Sequence, residues 1–76
     1  MDKIFLIQKV KELLEIYNLD EDFKIVLSEY LDNVDAKCAK EKYDVLISNV
    51  ELYANGKVKC SDEVQKLCTD ILKSIN

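Results

Sequence analysis

Seventy-six residues with 49% apolar and 34% charged side chains, one glycine and no proline describe a single helical domain over residues 1–76 with a small core, not a disordered tail. The chain has no histidine and no arginine, and 15 acids against 11 lysines leave a net charge of −4. That balance argues against nucleic acid, whose binding rests on neutralised phosphates and on arginine reading guanine, and no stretch approaches the ~20 apolar residues of a membrane span.

The first predicted helix covers residues 3–17, with Asp2 as N-cap, an apolar stripe of Leu6, Ile7, Val10, Leu13, Leu14 and Tyr17, and Asn18 as its stop. The second covers 21–31 behind Asp20, with Glu21 and Asp22 in the first turn, where the helix dipole favours acids. Its stripe is Phe23, Val26, Leu27, Tyr30, Leu31 and Val34.

The third helix is expected over 36–54, capped by Asp32, Asn33 or Asp35, with Ala39, Tyr43, Leu46, Ile47, Val50, Tyr53 and Ala54 on one face and Gly56 ending it. A β-hairpin pairing residues 50–53 with 57–60 competes with that reading, but the helical pattern runs unbroken from Ala39 to Ala54. The fourth helix covers 62–75 behind Ser61, with Val64, Leu67, Cys68, Ile71, Leu72 and Ile75 in a single stripe. These elements predict an all-α fold, a compact antiparallel four-helix bundle with short connections.

Chemistry is constrained mainly by what is missing. Without histidine there is no imidazole general base, no usual zinc ligand and no Ser-His or Cys-His pair. Gly56 alone cannot make a phosphate-binding loop. Asp20-Glu21-Asp22 lacks the later ligands and the glycine of a calcium loop, and helix capping accounts for those acids. Cys38, Cys60 and Cys68 are odd in number and lack CxxC spacing; with no signal peptide in view they read as reduced thiols of a cytoplasmic protein. Cys68 reads as a small buried hydrophobe. Cys60 precedes a helix start, where it is either a hydrophobic staple or a thiol acidified by the dipole, the staple being favoured. The expectation is a protein that is no enzyme and carries no metal or cofactor.

Some apolar residues lie on the wrong side of their helices. At 100° per residue, Ile25 projects opposite the second helix's stripe, among Glu21, Asp22, Glu29 and Asp32. An apolar anchor ringed by carboxylates suits a basic protein partner with an apolar pocket; the plainer alternative is a single exposed isoleucine on a solvated face. Residues 18–35 hold six acids against Lys24, a local charge of −5, whereas 36–60 hold five lysines against three acids, +2. On the third helix Cys38, Val45 and Leu52 recur every seven residues away from the core stripe. They form either a seam for a homodimer or partner, or a second face buried in a central helix. Phe5 and Ile16 flank the first helix's stripe, either widening the buried face or, for Phe5, offering a contact.

The run Asn55-Gly56-Lys57-Val58-Lys59-Cys60-Ser61-Asp62-Glu63-Val64, a polar turn and a basic-apolar link leading into a capped last helix, resembles bacteriocin immunity proteins of the enterocin type. The general type is similar to small helical immunity proteins of bacteria and to phage-encoded inhibitors of host enzymes. That family has a longer C-terminal tail than this sequence shows, and no functional residue is carried over. The resemblance implies a small binder that inhibits or neutralises a protein partner. A self-associating structural or regulatory module is the other function expected.

Overall fold

Asp2 begins the first helix: its carboxylate accepts the Ile4 backbone N–H at 2.9 Å, and α1 runs Lys3–Leu14 in the computed structural model, which describes residues 2–75. The helix ends three residues earlier than the stripe predicts. Glu15 closes it, and the chain then tightens into turns in which the Ile16 N–H reaches the Leu13 carbonyl at 3.1 Å and the Leu19 N–H reaches the Ile16 carbonyl at 3.4 Å. This rotates the chain, so Leu19 enters the core at 6% exposure while Tyr17, expected on the buried stripe, is 91% exposed.

Helix α2 spans Glu21–Asp32, with the Asp20 carboxylate accepting the Asp22 N–H at 3.0 Å. Helix α3 spans Ala39–Ala54 and starts three residues later than expected, because residues 33–38 form successive turns. Its three expected caps do not serve it. Asn33 caps α2 instead: its Nδ2 donates to the Glu29 carbonyl at 2.7 Å and its Oδ1 accepts the Cys38 thiol at 3.4 Å. Cys38 occupies the α3 N-cap position and makes no side-chain capping bond.

Gly56, at φ +73°, terminates α3. The Lys57 N–H reaches back to the Leu52 carbonyl at 2.9 Å and the Gly56 N–H to the Tyr53 carbonyl at 3.2 Å, the paired bonds of a glycine-ended helix. Residues 57–60 form no strand, so the hairpin alternative is not what the chain adopts. Helix α4 spans Asp62–Ile75, its first turn held by the Val64 N–H donating to Ser61 Oγ at 3.3 Å.

The four helices form an antiparallel bundle in which each packs on its neighbours round the ring: α3 most extensively on α4 and then α2, with α1 closing the ring against α2 and α4. Leu6, Val10, Leu13, Phe23, Leu27, Leu46, Val50, Cys68 and Ile71 are fully buried, and every helix supplies some of them. Phe23 stacks on Tyr53, ring centroids 4.3 Å apart and planes 14° from parallel. The Tyr53 hydroxyl donates to the second oxygen of Asp20 at 3.1 Å, so one carboxylate both starts α2 and fixes the far end of α3. No polar or charged side chain is buried among the described residues.

Candidate protein-binding face

Among the described residues five large apolar side chains are exposed: Ile4, Tyr17, Ile25, Val45 and Leu52. Three of them belong to α2 and α3. Ile25 is 55% exposed, directed away from the core by its position between Lys24 and Val26 on a helix whose buried residues are Phe23, Leu27 and Tyr30. Glu21, Asp22, Glu29 and Asp32 are all exposed with it.

The ion pair of Lys42 Nζ with Glu29, 3.2 Å long, crosses from α3 to α2 and shows which flanks of the two helices meet. Taking Leu46, Val50 and Tyr53 as the inward direction of α3, Lys42 lies about 45° round toward α2, and Cys38, Val45 and Leu52 continue on that side at about 85°, 105° and 125°. On α2, Glu29 lies about 130° round toward α3 and Ile25 about 170°. Ile25 therefore stands on one side of the Glu29–Lys42 bridge and Val45 and Leu52 on the other, all on the outer surface of the α2–α3 pair. Two features that look unrelated along the chain share one face.

This geometry corrects the idea that α3 buries both its faces: Val45 is 48% and Leu52 42% exposed. Cys38 is different. It is half-buried, and its thiol is engaged with Asn33 at the end of the link between α2 and α3. Phe5 is half-buried with Lys9 Nζ 5.4 Å over its ring, and Ile16 packs against the core.

The acidic character of the face is partly offset within the chain. Glu21 pairs with Lys24 at 3.4 Å and Glu29 with Lys42 at 3.2 Å, whereas Asp22 and Asp32 have no ion-pair partner among the described residues. Exposed pairs of this kind contribute ~0–1 kcal/mol each and exchange readily for an incoming cation.

The thiols offer no activated nucleophile at the start of α4. Burial, then the Asp62 carboxylate, push the Cys60 thiol pKa up, against any acidification by the dipole. Cys60 packs partly against the core, as a staple does. Burial, with a smaller contribution from Cys60, pushes Cys68 up to about 12. Iodoacetamide at neutral pH is therefore expected to label half-buried Cys38 and to leave Cys68 unmodified until denaturant is added, as read by peptide mass spectrometry. Labelling of Cys68 as fast as Cys38 in the native protein would contradict the packing of α4.

Among the described residues no group of three or more cysteine, aspartate or glutamate side chains converges as a metal ion requires, and no helix is long and apolar enough to cross a membrane. No protein-family model, curated protein or solved structure matches the chain.

The exposure of Ile25 follows from its helical angle alone. The exposure of Ile4, 67%, follows in the same way from its position opposite Leu6, Val10 and Leu13, but its place in the apolar run from Ile4 to Ile7 hides it from a reading by composition.

Proposed function

We propose that the chain is a non-catalytic binding protein that captures a protein partner on the outer face of α2 and α3 and inhibits or neutralises it, in the manner of immunity proteins and phage inhibitors. Ile25 enters an apolar pocket of the partner, Val45 and Leu52 extend the apolar contact, and Glu21, Asp22, Glu29 and Asp32 face basic side chains. The observation that carries this reading is the gathering of three exposed aliphatic residues on one side of a bundle this small, rimmed by acids. An apolar centre with a charged rim is the usual anatomy of a protein interface. Three free thiols suit a reducing compartment, and we place the protein in the cytoplasm.

The test is capture of the partner from the native cell or host, identified by mass spectrometry and repeated with Ile25→Asp. Ile25 is exposed enough for this change to leave the bundle folded. Loss of a central anchor is expected to weaken capture roughly 30-fold or more. Capture that survives Ile25→Asp unchanged rejects the acidic-anchor reading.

Self-association as a homodimer is a second reading, favoured by the exposure of Val45 and Leu52 in the single chain. Sedimentation as a monomer at high concentration would reject it.

A further inference from the structure

The end of the bundle that carries the start of α1, the end of α2 and the start of α3 holds a groove of about 360 Å³, lined by Lys3, Leu6, Tyr30, Val34, Ala39, Lys40 and Tyr43. Each of its polar side chains can donate a hydrogen bond. Lys3 and Lys40 bring two ammonium groups, and Tyr30 and Tyr43 bring two hydroxyls that have no hydrogen-bond partner among the described residues. Among the described residues no carboxylate lines it. Tyr30 is 95% buried, yet its hydroxyl faces the groove: burial raises its pKa above 10, the Lys3 ammonium lowers it, and Tyr43 raises it, so both of these groove residues are within electrostatic reach. The ring of Tyr30 is buried and its hydroxyl, with no protein partner, is open to the groove beside a cation, where it can donate to an incoming acceptor. The first turn of α3, which contributes Ala39 and Lys40, lacks a side-chain cap and adds its positive dipole end.

We propose that this groove binds a small amphipathic carboxylate. The carboxylate accepts hydrogen bonds from the Tyr30 and Tyr43 hydroxyls and pairs with Lys3 and Lys40, and a short apolar chain lies along Leu6, Val34 and Ala39. Both lysines currently hold surface aspartates, Lys3 with Asp35 at 3.0 Å and Lys40 with Asp44 at 3.1 Å. Asp35 and Asp44 are 88% and 58% exposed, and such pairs exchange at little cost. The volume lies at the small end of ligand sites, which fits a short-chain acid and excludes a folded peptide. The site is separate from the α2–α3 face, so its failure leaves the proposed function standing.

The test is an amide NMR titration with hexanoate, using acetate as head-only probe and hexanol as tail-only probe. Saturable shifts at Leu6, Val34, Ala39 and Lys40 are expected for hexanoate, with acetate and hexanol each about tenfold weaker. Tyr30→Phe keeps the ring and removes only the donor, and is expected to weaken hexanoate about tenfold. Lys40→Gln, at a side chain 83% exposed, cannot disturb the fold and is expected to weaken it severalfold. Shifts that fail to saturate, shifts centred on Ile25 and Val45, hexanol binding as tightly as hexanoate, or full affinity in both variants would each overturn the proposal.

Discussion

Phe23→Ala is expected to remove a large share of the domain's stability and, at the low end of the range for a chain this size, to bring it to its unfolding midpoint at room temperature. A chain of 76 residues has a total stability on the order of 4 to 11 kcal/mol, and removing a fully buried phenylalanine costs about 3 to 5 kcal/mol, the lost transfer energy plus the cavity left behind. Phe23 sits where little can collapse into the space. Its ring lies 4.3 Å from that of Tyr53, which is itself anchored by the 3.1 Å bond to Asp20, so the partner ring cannot follow without breaking the bond that ties α3 to the start of α2. The stack contributes a further ~1 kcal/mol beyond buried area. Thermal melts followed by helical circular dichroism should fall by at least about 15 °C, and Phe23→Leu, which keeps most of the volume, should fall by much less. A melt unchanged by Phe23→Ala would show that this stack does not hold the core in solution.

The same residues show how far the fold can be read from the sequence. Helices α2 and α4 are legible almost to the residue, because Asp20 and Ser61 are isolated caps ahead of clean stripes, and nothing nearby competes for them. The ends that go astray are those where tertiary contacts outrank local pattern. Tyr17 continues the α1 stripe on a helical wheel, but the link to α2 must turn within six residues, and it does so by burying Leu19 in its place. Asn33 has the chemistry to cap α3 and is already used by α2. The candidate face is half legible. The angle of Ile25 exposes it whatever the bundle does, and the spacing of Val45 and Leu52 puts them off the core stripe. That the two sets share a surface depends on which flank of α3 meets α2, which only the Lys42–Glu29 contact reveals. The groove is not legible at all, since Tyr30 and Tyr43 belong to core stripes and nothing in their spacing shows where the hydroxyls end.

Raising the pH from 9 toward 12 is expected to destabilise the protein, with Cys68 and then Tyr53 contributing from inside the core. Burial pushes the Cys68 thiol from 9.0 up to about 12, and burial followed by donation to Asp20 pushes the Tyr53 hydroxyl from 10.0 up to about 12. Both groups are neutral when protonated, and both are held protonated by the folded state beyond the pH at which the unfolded chain releases them. Their contribution is therefore fully present below pH 9 and is lost as the pH rises through the folded values near 12. A shift of about three units corresponds to at most about 4 kcal/mol for Cys68, and Tyr53, whose hydroxyl is only part-buried, adds in the same direction but less than its shift alone implies. The two are coupled, since Cys68 adds to the shift of Tyr53, so their contributions do not simply add; that of Cys68 alone is comparable to the lower end of the domain's stability. Urea unfolding at a series of pH values measures the effect directly. Cys68→Ala should be less stable than the wild type at pH 7, because it removes a buried side chain, yet lose less stability between pH 9 and 12, so the two curves converge. Tyr53→Phe should behave in the same way with its change beginning near pH 10. Curves for wild type and Cys68→Ala that fall in parallel would place the titrating group outside the core, because a thiol on the buried stripe of α4 cannot ionise without opening the helix that covers it.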